Sequence, residues 1–368
     1  MNQLIHRRFV NYILLNASFQ NRIGLFDGKT AVSIYLAMAA EAFPDFAADA
    51  ASFSFLEEIQ EHMSFGSPLG FGSGMAGYGC VLEYLAGKDL LAEDTSELLE
   101  EPEKHILGFV YRAASQEPGL NNGISGMGMY LLQRLKSKTP PGQFQQLLLK
   151  EAAIGCVDQL RKLWDAVRKE GKRNIDISLW NGWPGVVLFL NELRKTGWFE
   201  PEVTAFLQEM VEFLWRIVQK NRQNWHWDYL SCWLAIFQAG FDRADYTLHP
   251  DKLKLFDKQL QFGFASIEHI AARKRMWYAL ELSIIERQFE QAAAGKAARK
   301  IKKLAEEGLE QRPVPELFPP GMRQLEVPVG LLEGVCGTAL PLLTMETGRY
   351  DWLSMFGIFV KQSHAEKN

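Results

Sequence analysis

Cysteine is scarce in this chain: four among 368 residues, at Cys80, Cys156, Cys232 and Cys336, with no Cys-x-x-Cys pair. That rules out a disulfide framework, and the four read as free buried thiols in a reducing cytoplasm. No run of about 18 apolar residues occurs, so membrane insertion is not expected. The N-terminus, MNQLIHRRFVNYILLNASF, lacks both a long apolar run and a small-residue cleavage site, and it reads as a helix rather than a signal peptide. A surplus of positive charge is also missing. The formal net charge is −4, which argues against a nucleic acid or an anionic membrane as partner, since either would want a basic face. β-strand alternation is not evident anywhere. Aromatic residues are plentiful, with 10 Trp and 24 Phe, and imply a large core or a cavity lined with rings. The apolar fraction of 47% and charged fraction of 23% are ordinary for a soluble globular protein.

Internal repetition organises the chain. The segments GLFDGKTAVSIYL from Gly24, GFGSGMAGYGCVL from Gly70, GLNNGISGMGMYL from Gly119, SLWNGWPGVVLFL from Ser178 and GLLEGVCGTALPL from Gly330 share a Gly-x-x-small core followed by an apolar run. Their centres are Gly28, Gly74, Gly123, Gly182 and Gly334. The first four lie roughly 46 to 59 residues apart, and the last gap is about three such periods. Two degraded copies fill it, centred near Asp228 and near Met276. Three residues after each centre stands a small residue: Ala31, Gly77, Gly126, Gly185, Ser231, Ala279 and Gly337. Amphipathic stretches with apolar residues at i, i+3, i+4 and i+7 lie between the copies, PEVTAFLQEMVEFLWRIVQ among them. The period fits two helices with their loops. These patterns predict an all-α fold, a toroid of seven helical hairpins forming one domain over residues 1–368, with inner helices starting at the Gly-x-x-small signature and outer helices preceding them.

Glycine costs about 1 kcal/mol in a helix relative to alanine, so its recurrence needs a return. Close approach of neighbouring helix ends is one, and backbone angles that favour glycine are another. Inner helix N-termini with unpaired N–H groups would then face one mouth of the ring. The residues just ahead of each centre would line that mouth: Asp27, Asn121, Asn122, Trp180, Asn181, His226, Trp227, Lys274, Arg275 and Glu333, with Trp183 and Trp225 beside them.

Seven hairpins with Gly-x-x-Gly starts, GLFDG at the front and GLLEGVCGTALPLL at the end, resemble the lanthionine synthetase C-like proteins, the lanthipeptide cyclases and their relatives, over nearly the whole chain. The resemblance implies an (α/α) toroid with a central zinc that activates a peptide cysteine thiolate for addition to a dehydrated Ser or Thr. It also implies zinc ligands at a Cys of the fifth repeat and a Cys-His pair ahead of the sixth centre. Those positions hold His226, Lys274 and Arg275 here, so His226 is the one surviving donor, where a catalytic zinc needs three protein ligands. The family's histidine ahead of the fourth glycine matches Asn181, and its aspartate matches Gly119, which removes the acid–base pair as well. The expectation is therefore a chain without zinc or another cofactor.

Two functions fit that pattern. One is a zinc-less, cyclase-like protein of ribosomal-peptide maturation that binds a precursor peptide or a partner modification enzyme, with the tryptophans receiving an extended chain and Lys274 and Arg275 attracting acidic groups. The other is a toroid enzyme using carboxylates, such as a glycoside hydrolase or lyase, with Asp27, Asp228 and Glu333 as candidates. Asp27 and Glu333 would be neighbours if the ring closes.

Overall fold

The computed structural model describes the chain apart from residues 1, 47, 65, 92, 113–116, 171–174, 222–224, 242–249, 265–266, 268–271, 312–313, 315–327, 333 and 362–368, and the side chains at 241, 250, 264, 272, 273 and 311. The described residues are helical, with no strand among them. In chain order the inner helices are α2 (Lys29–Ala42), α4 (Met75–Gly87), α6 (Ile124–Leu135), α8 (Trp183–Arg194), α10 (Tyr229–Phe241), α12 (Ala272–Phe289) and α14 (Cys336–Thr347). Between them run the outer helices α1 (Gln3–Asn16), α3 (Ala48–His62), α5 (Thr95–Tyr111), α7 (Gln143–Glu170), α9 (Glu200–Lys220), α11 (Pro250–Phe264) and α13 (Ala292–Gln311).

The two classes follow from their sequences. In α8 every residue from Trp183 to Leu193 is buried, and the run from Trp183 to Leu190 is apolar on all sides. In α9 the buried set is Val203, Phe206, Leu207, Met210, Leu214 and Val218, a single stripe with charge opposite it. Each inner helix packs on the next, and α14 returns to α2, so the ring closes. In the first, second, third, fourth and sixth repeats the inner helix packs on the outer helix that follows it, whereas α10 packs on α9 before it. The hairpin is therefore mostly inner-then-outer, the reverse of the order expected from sequence. Helix α1 packs against α2 and α14 at the ring's seam. There His6 bridges the Tyr35 hydroxyl at 3.2 Å and the Glu346 carboxylate at 3.3 Å. Burial disfavours the Glu346 charge, but the bonds and charges of His6 and Lys302 outweigh it and hold this carboxyl below its ordinary range.

Among the described residues the centre of the ring is filled rather than open. After α14 the chain forms a 3₁₀ helix over Asp351–Phe356 that packs on α4 and α6. Phe356 is fully buried among Phe26, Phe71, Trp180 and Trp352, with ring centres 5.1 to 6.0 Å apart. Gln133 donates to the Ser354 carbonyl at 3.0 Å, and Gln238 both donates to and accepts from the Phe359 backbone. The aromatic surplus thus fills the centre.

The glycine signature forms a fold-back loop. In the second repeat the amides of Gly74, Met75 and Ala76 donate to the carbonyls of Gly70, Pro68 and Leu69 at 2.9 to 3.2 Å. The same three bonds recur at Gly28, Lys29 and Thr30, and at Gly334, Val335 and Cys336. A Cβ at Gly74 would overlap the Pro68 carbonyl, and one at Gly77 the Phe71 carbonyl. Close approach is the reason for glycine; the alternative fails, because Gly28, Gly74, Gly123 and Gly182 are all extended, with φ of −144°, −153°, −98° and −104°. The expectation of unpaired helix N–H groups at the mouth fails too, since the loop's own carbonyls accept from the first amides.

Candidate functional site

The fold-back loops are stitched to one another. The amide two residues before each centre donates to the carbonyl at the same position of the next repeat: Leu332 to Phe26 (3.0 Å), Phe26 to Gly72 (2.7 Å), Gly72 to Asn121 (2.5 Å) and Asn121 to Trp180 (2.7 Å). This backbone belt joins repeats seven, one, two, three and four. Side chains reinforce it, with Ser73 Oγ donating to Asn122 Oδ1 at 2.8 Å and Asn121 Nδ2 to Asn181 Oδ1 at 3.1 Å. Across repeats five and six the belt stops. Among the described residues the Trp180 N–H and the Leu332 carbonyl have no belt partner.

The local sequence explains the gap. In the fifth repeat Tyr229 and Leu230 donate to His226 and Trp227, closing short turns instead of a fold-back loop. In the sixth, α12 already begins at Ala272. Met276 therefore lies a full turn inside the helix, not at its start, and the position that would continue the belt, Lys274, is helical.

A cavity of about 240 Å³ occupies the gap. Its lining includes Trp180 and Asn181 from the fourth loop, Asp228 and Ser231 from the fifth repeat, Lys274, Trp277, Tyr278 and Glu281 from α12, and Leu332. Trp180 meets Trp277 edge-on at 5.0 Å, and Trp277 Nε1 donates to the Leu331 carbonyl. Asp228 accepts from the Tyr278 hydroxyl at 3.2 Å through one oxygen and meets His226 Nδ1 at 3.2 Å through the other. Glu281 is 3% exposed. One of its oxygens accepts a long 3.5 Å bond from Ser231, and the other has no partner. Burial, and then the charge of Asp228, push the Glu281 carboxyl up to about 8, with the Ser231 bond opposing. Tyr278 is likewise pushed up by burial, followed by Asp228 and Glu281.

Of the residues expected at the mouth, Trp180, Asn181, Asp228 and Lys274 line this cavity. Asn121 and Asn122 belong to the belt's rim beside it. His226 is exposed and flanks Asp228. Trp227 is buried behind it, stacked on Tyr278 at 5.2 Å. Trp225 packs edge-on against Trp227, with Gly263 alongside, and Trp183 turns outward to Trp164 at 4.9 Å. Those three are wall or core, because each faces a neighbouring helix and not the mouth. Arg275 does not line the cavity. Asp27 pairs with Arg22 at 3.7 Å, and its backbone lies against Gly330, as ring closure requires. Glu333 is outside the described residues. Sequence reasoning missed Tyr278 and Glu281, although both follow from Lys274 at helical spacing, and Glu281 is a charged residue within an apolar inner helix. The four cysteines are all buried, and burial raises every one of their thiols, that of Cys156 to about 12. No described helix is long and apolar enough to cross a membrane.

Comparison with known proteins accords with this architecture. Among solved structures, nisin cyclase superposes with a TM-score of 0.59 over 92% of each chain, at 15% sequence identity. Comparison by sequence with curated proteins returns no significant match. Residues 12–233, more than half of the chain, match the profile of the family described as lanthionine synthetase C-like protein. The chain belongs to the lanthionine synthetase C-like family.

Proposed function

We propose that this chain is a zinc-free, cyclase-like protein of ribosomal-peptide maturation that binds an extended segment of a precursor peptide at the gap in the loop belt. The observation that carries this reading is the interrupted belt. Trp180 offers an N–H and Leu332 a carbonyl, both beside one cavity, where an extended backbone supplies the complementary groups. The aromatic walls suit a side chain entering between them. Binding is measured by fluorescence anisotropy with labelled candidate precursor peptides. Trp180→Ala and Trp277→Ala are expected to weaken it at least tenfold. Retention of partner modification enzymes but of no peptide would replace this reading with a docking role.

The proposal of zinc-free function rests on the side chains at the family's metal positions. His226 is exposed and faces a carboxylate, while Lys274 and Arg275 carry cationic groups. Cys232 lies nearby in sequence, but its thiol is buried and raised far above the range in which a thiolate forms. Among the described residues no group of three or more His, Cys, Asp or Glu side chains is gathered closely enough to hold a metal. Metal analysis of protein purified without chelator is expected to give far less than one zinc per chain; stoichiometric zinc refutes it.

One observation favours a second reading. A carboxyl raised to about 8 beside Asp228 is the pattern of an acid–base pair. Cleavage of an oligosaccharide panel, abolished in Glu281→Gln, would establish carboxylate chemistry over binding.

A further inference from the structure

Buried carboxylates in this fold are matched with cations. Glu83 and Glu103 share the buried Arg134, with Glu103 accepting from Arg134 Nε at 2.7 Å. Glu192 pairs with Lys136 at 2.9 Å and Lys195 at 2.5 Å, and Glu346 with His6 at 3.3 Å. Glu281 is as deeply buried as these, yet among the described residues no cation reaches it. Its unpartnered oxygen belongs to a residue that lines the cavity, and Asp228 adds a second carboxylate to the same lining. Three rings, Trp180, Trp277 and Tyr278, complete the surroundings. Two carboxyl groups among aromatic rings form a setting for an organic cation: Asp228 supplies charge, Glu281 ionises as an arriving cation takes the place of its proton, and the ring faces attract an ammonium group and its methylenes alike. Lys274, the cation in the lining, is exposed and forms no ion pair among the described residues.

We propose that the cavity is a subsite for a primary ammonium group, the head of a lysine side chain in the bound peptide, received by Glu281 and Asp228 among Trp180, Trp277 and Tyr278. The assignment of the ammonium to a lysine rests on the peptide-binding reading above; recognition of the ammonium itself does not.

The test is a ligand-observed NMR titration of the full chain with three probes: N-acetyl-Gly-Lys-Gly-amide, its norleucine analogue and n-butylammonium. The lysine peptide is expected to bind at least tenfold more tightly than the norleucine peptide. Glu281→Gln and Asp228→Asn, each checked for native circular dichroism, are both expected to reduce that preference at least threefold. Lys274→Met, which removes a competing cation, is expected to leave or strengthen it. Equal binding of the lysine and norleucine peptides overturns the ammonium subsite and leaves the peptide reading standing. Binding of n-butylammonium without either peptide does the reverse. A preference that survives both carboxylate substitutions also overturns the assignment.

Discussion

Replacement of Glu281 by glutamine isolates the cost of keeping a carboxyl in this cavity. Glutamine has nearly the same shape and keeps the oxygen that accepts from Ser231, but it cannot ionise. In the folded chain Glu281 keeps its proton up to about 8, against an ordinary value of 4.5. Below pH 4.5 folded and unfolded chains are both protonated, and the residue contributes no pH dependence. Above it the unfolded chain releases the proton while the folded chain holds it, so stability falls with rising pH until the folded carboxyl also ionises near 8. The full span from 4.5 to about 8 corresponds to about 5 kcal/mol. Glu281→Gln is free of that loss, so its stability relative to wild type should rise by several kcal/mol between pH 5 and pH 8.5. Melting temperatures of both proteins across that range measure it, and at about 1 to 2 °C per kcal/mol the gap should widen by several degrees. A difference that stays constant with pH, or a variant that loses ground as pH rises, refutes the assignment of Glu281 as a buried, unpaired acid.

Arg134 is held between the buried Glu83 and Glu103, so Arg134→Met should strand two carboxylates and cost about 3 to 5 kcal/mol, read from urea unfolding. Replacing all three by apolar residues of similar volume should recover most of that loss. Gly74→Ala should lower the melting temperature by several degrees, because the new Cβ overlaps the Pro68 carbonyl; Gly87→Ala in the same helix meets nothing and should be neutral or stabilising by up to about 1 kcal/mol. Phe356→Ala should cost about 3 to 5 kcal/mol by emptying the ring's centre, measured by denaturant midpoint; a loss below about 1 kcal/mol would mean that the C-terminal segment does not plug the ring in solution.

The repeats can be read from the residues alone. A loop that folds its carbonyls onto the next helix leaves no room for a Cβ at positions such as Gly74 and Gly77, and that steric demand is written directly as Gly-x-x-small. Helix class was legible for a similar reason, since a helix packed on all sides needs a long apolar run, as from Trp183 to Leu190, and an outer helix needs one stripe. Repeats five and six were legible as departures, because Asp228 and Met276 break the pattern. What those departures build was decided by tertiary structure. The early start of α12 at Ala272 turns Lys274, Tyr278 and Glu281 into one wall of a cavity, and the belt stops beside it at Trp180 and Leu332. The direction of a tryptophan is equally a matter of neighbours: Trp180 reaches the central Phe356, whereas Trp183, three residues later, lies against Trp164 of an outer helix. Spacing along one helix predicts which residues share a face, but burial, and with it the raised Glu281 carboxyl, depends on helices distant in sequence closing over it.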